Sequence, residues 1–183
     1  MLKKNEILFF EIEDSGELNN AAHEVSVLAR EIWTEHYTPI VGRAQVDYML
    51  ANFQSAEKIA ADIKGGYKYY TAREAGTNRT VGYLAFCRRE DYTFLSKIYV
   101  LKEYRGQGIA RRFFDITAEH CKKEGLEKIR LRVNMYNYTT IAVYKKTGFA
   151  VIAEEKNDIG GGFVNDDYYM ELKLPTTTDS KEH

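Results

Sequence analysis

Proline and cysteine are scarce in this chain, each present twice, and tryptophan occurs once. With only Pro39 and Pro175, there is no proline-rich linker on which several domains could be strung. Cys87 and Cys121 are too few and too far apart for a disulfide framework or a metal knuckle. Both fall inside apolar elements and read as buried free thiols. Long apolar runs are missing as well, and a helical membrane span needs roughly 18 or more such residues. The apolar start Ile7-Leu8-Phe9-Phe10 is cut short by Glu11 and Glu13, so neither a secretion signal nor a membrane span is expected. Charge of one sign is also lacking. The 26 basic residues nearly balance 27 acidic ones, and a net charge of −1 gives no general attraction to nucleic acid or an anionic membrane. Arg88-Arg89 and Lys122-Lys123 read as solvated faces. These absences point to a soluble, cytoplasmic, single-domain protein, and 44% hydrophobic residues suffice for a full core.

What is present is a regular alternation of elements. A strand over 6–12 is followed by a helix from about Glu17 to Tyr37, with Ala21, Val25, Leu28, Ile32 and Trp33 at helical spacing. Asp14 or Ser15 can cap it, and Pro39 is expected to break it. Shorter helices follow near 45–53 and 55–64, the second stopped by Gly65-Gly66. Strands are expected over 67–74, 80–88 and 92–101, and a helix over 107–124 carries Ile109, Phe113, Ile116 or Thr117, and Cys121 on one face. A strand over 128–133, a helix over 138–147 and strands over 149–156 and 163–174 complete the pattern. The polar tail 175–183 reads as disordered. This order is α+β: antiparallel strands first, then a strand–helix–strand crossover that sets two strands parallel.

The densest chemical signal is Arg105-Gly106-Gln107-Gly108-Ile109-Ala110, between the strand 92–101 and the following helix. Glycines allow a tight bend and close ligand approach, and a helix N-terminus offers unpaired N–H groups and the positive end of its dipole. Arg105, Arg111 and Arg112 add charged donors, so the segment reads as a cradle for phosphate or pyrophosphate. It is not a P-loop, because Ile109-Ala110 stands where Lys and Ser or Thr are required. Nor is it a dinucleotide fingerprint. Arg111 takes the place of the third glycine, and Ile129-Arg130-Leu131 lies where the ribose-binding acid belongs.

The pattern that fits is Arg-x-x-Gly-x-Ala, and a second follows it. The run Ile129-Arg130-Leu131-Arg132-Val133 leads to Asn134, Asn137, Ala142, Tyr144, Lys146, Gly148 and Phe149. Together they resemble the GCN5-related N-acetyltransferases, the GNAT superfamily, over residues 80–173. The resemblance implies a mixed, mostly antiparallel central sheet flanked by helices, with splayed parallel strands at an acetyl-CoA site, in one domain over residues 1–174. It implies that backbone groups of Ile98, Tyr99 and Val100 pair with the pantetheine arm. The N–H groups of Gln107, Gly108, Ile109 and Ala110, with Arg105, Gly106 and Arg111, would hold the pyrophosphate. Asn137 and Lys146 match further cofactor positions, and Tyr144 matches the acid that protonates the leaving thiolate. A phenol titrating near 10 stays protonated at pH 7 and can serve a thiol of about 8.5.

No metal is expected, and neither cysteine lies in a cofactor motif, so direct transfer in a ternary complex is favoured over an acyl-enzyme. No general base stands out: Glu35, His36, Glu103 and a water chain remain open. Glu35, His36 and Tyr37, in the stretch that also holds Glu31, Tyr48 and Phe53, could receive a cationic amine through charge and cation–π contacts. That makes a small or polyamine-like acceptor one reading. A protein N-terminal or lysine acceptor, transfer of a larger acyl group, and a non-catalytic acyl-CoA sensor are others. A homodimer would be unsurprising for such a fold, though no residue argues for one.

Overall fold

A computed structural model of the protein describes residues 6–175. The elements run β1 (Ile7–Ile12), α1 (Leu18–Val41), α2 (Arg43–Phe53), α3 (Ala56–Lys64), β2 (Lys68–Glu74), β3 (Thr80–Arg88) and β4 (Thr93–Val100). They continue with α4 (Ile109–Lys123), β5 (Lys128–Asn134), α5 (Tyr138–Thr147), β6 (Ala150–Gly160) and β7 (Phe163–Lys173). The strand order is β1-β2-β3-β4-β5-β7-β6. Pairing is antiparallel for β1/β2, β2/β3, β5/β7 and β6/β7, and parallel for β4/β5. The mixed, mostly antiparallel α+β sheet expected from the sequence is therefore present. The tail beyond Pro175 lies outside the described residues.

The chain divides into two compact units. The first comprises residues up to Cys87 together with Lys97–Phe114, and the second comprises Arg88–Ser96 and the chain from Asp115 onward. In the first unit α1 buries Leu18, Ala22, Val25, Leu28, Ala29, Ile32 and Trp33. Successive steps of three or four residues along this set make an apolar stripe wide enough to face a sheet. Trp33 meets Tyr99 at 5.5 Å between ring centroids, and Tyr99 meets Tyr83 of β3 at 5.2 Å. Phe113, in the first turns of α4, packs edge-on against Phe9 of β1 at 5.4 Å.

Two local expectations are corrected. Pro39 does not end α1; it lies inside the helix, which runs to Val41 and stops at Gly42, whose N–H bonds to the Thr38 carbonyl at 3.0 Å. A proline removes one backbone donor from the ladder, and a single further turn can form beyond it. Neither Asp14 nor Ser15 is the N-cap residue. Glu17 takes that place, without a side-chain cap bond, while Ser15 Oγ accepts from the Glu17 N–H at 3.3 Å. On α3 the cap is Ser55, accepting from the Lys58 N–H.

In the second unit β5 alternates buried Ile129, Leu131 and Val133 with Arg130, Arg132 and Asn134. This is the period-2 pattern of a strand buried on one face. Met170 of β7, in register with Leu131, is fully buried on that face too. Both cysteines are buried free thiols. The Cys121 thiol donates to the carbonyl of Leu126 at 3.3 Å, just past the end of α4.

Candidate functional site

The glycine segment lies in the first unit. After β4 comes a single 3-10 turn, Lys102–Tyr104, and then Gly106 and Gly108, with φ of +77° and +83°. Such angles cost an L-residue about 1–2 kcal/mol each, so the bend selects glycine. No atom beyond the chain neighbours lies within 4 Å of where a Cβ would stand at either glycine, so the outer side of the loop is open. The first intrahelical bond of α4 is Arg112 N–H to the Gly108 carbonyl at 3.0 Å. The first-turn N–H groups before it have no intrahelical acceptor and present a positive dipole end. Gln107 Nε2 bonds to the Glu103 carbonyl at 3.1 Å and ties the loop across. Arg105 Nε donates to the Val100 carbonyl at 3.1 Å, so this arginine anchors the loop to the end of β4. Arg111 is exposed on the first turn of α4.

Ile98, Tyr99 and Val100 form the last residues of β4. The parallel β4/β5 ladder covers Thr93↔Ile129 and Phe94↔Arg130, and ends there. Around Tyr99 the first unit gathers aromatic rings: Tyr37 lies 6.3 Å from it and 4.4 Å from Trp33, and His36 meets Tyr37 edge-on at 4.8 Å. Glu35 forms ion pairs with Lys102 at 3.2 Å and Arg105 at 3.4 Å. Glu103 pairs with Arg79 at 3.3 Å. Both carboxylates considered as bases from sequence are thus already engaged by cations.

The second signature lies in the second unit. Asn134 closes a turn, its Oδ1 accepting from the Tyr136 N–H at 3.0 Å and its carbonyl from the Asn137 N–H at 2.9 Å. Asn137 is the N-cap residue of α5 and is 2% exposed, and its Nδ2 is buried with no hydrogen-bond partner. An orphaned buried donor is costly, at about 1–3 kcal/mol, and therefore calls for an acceptor. Tyr144, two turns along α5, is 8% exposed, with its ring 5.7 Å from that of Phe149. Lys146 is exposed near the C-terminal end of the same helix.

Three buried charged groups, Asp62, Lys97 and Asp167, were given no role from the sequence. Asp62 of α3 receives Lys58 Nζ on one oxygen. On the other it receives the Tyr69 hydroxyl at 3.2 Å and Lys97 Nζ at 3.5 Å. Burial pulls the Lys97 ammonium down from its usual range, opposed by Asp62. Asp167 of β7 is 7% exposed, and burial pushes its carboxyl up from the ordinary carboxylate range. Strand parity gave no signal for it, since Asp167 shares the face of Tyr169 and Glu171, opposite the fully buried Met170.

With this geometry in view, comparison with known proteins is decisive. The acetyltransferase (GNAT) domain family matches residues 37–172, three quarters of the chain. The chain belongs to the GNAT acetyltransferase family. Within that family it is 30% identical over 87 residues to an IAA acetyltransferase of Azospirillum brasilense, covering 48% of this chain and 57% of that one. It is 33% identical over 105 residues to an uncharacterized N-acetyltransferase of Mycobacterium tuberculosis, covering 57% and 65%. The match thus spans less than two thirds of either curated relative. In fold the chain is similar to the PaiA N-acetyltransferase of Thermoplasma acidophilum in complex with coenzyme A. There the TM-score is 0.76 at 21% identity, covering 92% of this chain and 99% of that one. The ribosomal-protein-S18-alanine N-acetyltransferase of Escherichia coli shares the fold at a TM-score of 0.63 and 16% identity, covering 96% and 100%.

Proposed function

We propose that this GNAT protein is an acetyl-CoA-dependent N-acetyltransferase, acting as one domain over residues 1–174 and passing an acetyl group directly to a primary amine. The observation that carries the reading is the buried, partnerless amide nitrogen of Asn137, at the position the family resemblance assigns to a cofactor contact. The open glycine bend at Gly106 and Gly108 supports it, since its shape suits a diphosphate held by backbone N–H groups. The thioester supplies an activated acetyl group and a good leaving thiolate. Gln107, Gly108, Ile109 and Ala110, with Arg105, Gly106 and Arg111, hold the anion. Ile98, Tyr99 and Val100 offer strand-edge groups to the pantetheine amides, and the early end of the β4/β5 ladder supports that role. Asn137 donates its free amide hydrogen, Lys146 approaches the nucleotide end, and Tyr144 gives its proton to the departing thiolate.

For the acceptor we favour a small cationic amine received beside His36, Tyr37 and Glu35. The Trp33–Tyr37–Tyr99 ring cluster supports this, because aromatic faces attract ammonium groups. Relatives in fold act on acceptors as different as a ribosomal protein's alanine, so the acceptor is not inherited with the fold. The test is acetyl-CoA consumption against polyamines, amino acids, aminoglycosides and short peptides. Saturable turnover of one class identifies the acceptor. A flat response to all of them, with coenzyme A binding intact, would favour an acyl-CoA sensor instead.

A further inference from the structure

Helices α1, α2 and α3, all in the first unit, border a cavity of about 270 Å³. That is the small end of ligand pockets, which run from roughly 300 Å³ upward. None of the residues given a cofactor or acceptor role lines it. Its α1 side carries His23, Val27 and Arg30, which share one helix face. Val27 is 55% exposed, an apolar side chain left uncovered, and Leu50 of α2 adds a buried apolar wall.

Two donors at this cavity lack acceptors. Arg30 is exposed and forms no ion pair among the described residues. Gln54, between α2 and α3, is 4% exposed, and its Oε1 accepts the Tyr83 hydroxyl at 3.2 Å. Its Nε2 has no acceptor among the described residues. A donor so far removed from bulk water is costly without a partner, so the amide calls for an acceptor within the cavity. The acid beside it, Glu57, is already engaged. A backbone N–H and the Ser55 hydroxyl hold its carboxyl below the usual range, and His23 adds to that pull. The charge on Arg30 is left uncompensated.

We propose that this cavity is a binding site for a small aliphatic carboxylate. One oxygen accepts from the Arg30 guanidinium and the other from Gln54 Nε2, while the carbon chain covers Val27 and Leu50. Guanidinium and amide nitrogens only donate, which selects an ionised carboxylate over an amine. Gln54 also carries the event inward. An anion at Nε2 polarises the amide and strengthens the bond that its Oε1 accepts from Tyr83. The Tyr83 ring lies 5.2 Å from that of Tyr99, which lies 5.5 Å from Trp33. Trp33 is the single tryptophan, buried on α1 three residues beyond Arg30, so its emission reports occupancy.

Butyrate is the probe, titrated into the full chain at constant ionic strength while Trp33 emission and the line widths of the butyrate proton signals are followed. Both should saturate with one Kd, and butyramide, which lacks the charge, should leave them unchanged. Arg30→Gln and Gln54→Leu should each raise the Kd about tenfold or more, as loss of a hydrogen bond to a charged group implies. Arg30 is exposed, so its variant should melt with wild type and serve even if the Gln54 variant folds poorly. Saturating coenzyme A should leave butyrate bound. The proposal is overturned if butyrate does not saturate, if butyramide binds equally, or if Arg30→Gln keeps the wild-type Kd. Displacement of butyrate by coenzyme A would overturn it too, by placing the carboxylate in the cofactor site. None of these measurements needs turnover, so the site is tested apart from the acetyltransferase reading.

Discussion

Tyr144, the proposed acid, and the buried Asp167 can each be altered by a near-isosteric change. Tyr144→Phe deletes a hydroxyl while keeping the ring against Phe149. Acid catalysis is typically worth about 10²–10⁴-fold, so kcat should fall within that range while KM for acetyl-CoA barely moves. Steady-state kinetics check this, and an unchanged kcat removes the phenol from the mechanism. Asp167 makes a prediction about stability as well. Its carboxyl is held above the ordinary range by burial, so the folded state binds its proton more tightly than the unfolded chain does. Folding stability is then greatest below the unfolded carboxylate range and falls as pH rises through the raised value. Asp167→Asn should therefore melt higher than wild type at pH 7, with the gap closing towards pH 4 in thermal scans.

At the scale of elements, α3 and β4 are joined by Asp62 and Lys97, both more than nine-tenths buried. Replacing a buried pair with apolar groups is often neutral, whereas removing one partner leaves an uncompensated charge at a cost of about 3–5 kcal/mol. Asp62→Leu should show that loss in urea denaturation, and adding Lys97→Met should recover most of it. Additive losses would show that the two residues act independently. Neither partner was legible in the sequence. Asp62 follows Lys58 by four residues and reads as a surface pair, and Lys97 interrupts an apolar run without saying which face it takes. Helix α5, by contrast, was read to its terminal residues, because Asn137 and Gly148 mark its ends chemically. Periodicity gave most of the stripe of α1 but not its end, since a proline near a C-terminus can be tolerated when only one turn remains. Local chemistry writes caps and stripes into the chain. Burial of a charge depends on which strands become neighbours, and that is set by distant residues.

For the whole molecule, the cofactor reading was visible before the fold because it rests on backbone geometry that glycine placement announces. Gly106 and Gly108 adopt the left-handed angles such a bend requires, and the orphaned Asn137 amide then needed only the structure to reveal it. The burial of Asp167 could not be read from its strand alone, because it depends on β5 and β6 flanking β7. Ligand linkage offers the molecular test. A ligand that binds only the folded state at 100 times its Kd adds about 2.7 kcal/mol of stability. For a chain of this length that corresponds to a rise in Tm of roughly 5–10 °C. Coenzyme A should produce such a shift, and Gly108→Val should shrink it by more than it lowers the melting point of the free protein. The strained loop would distort the N–H groups proposed to hold the diphosphate, while its outer side has room for the added methyls. If the variant keeps the full shift, the anion is held elsewhere, and the bend before α4 is only a connection between strand and helix.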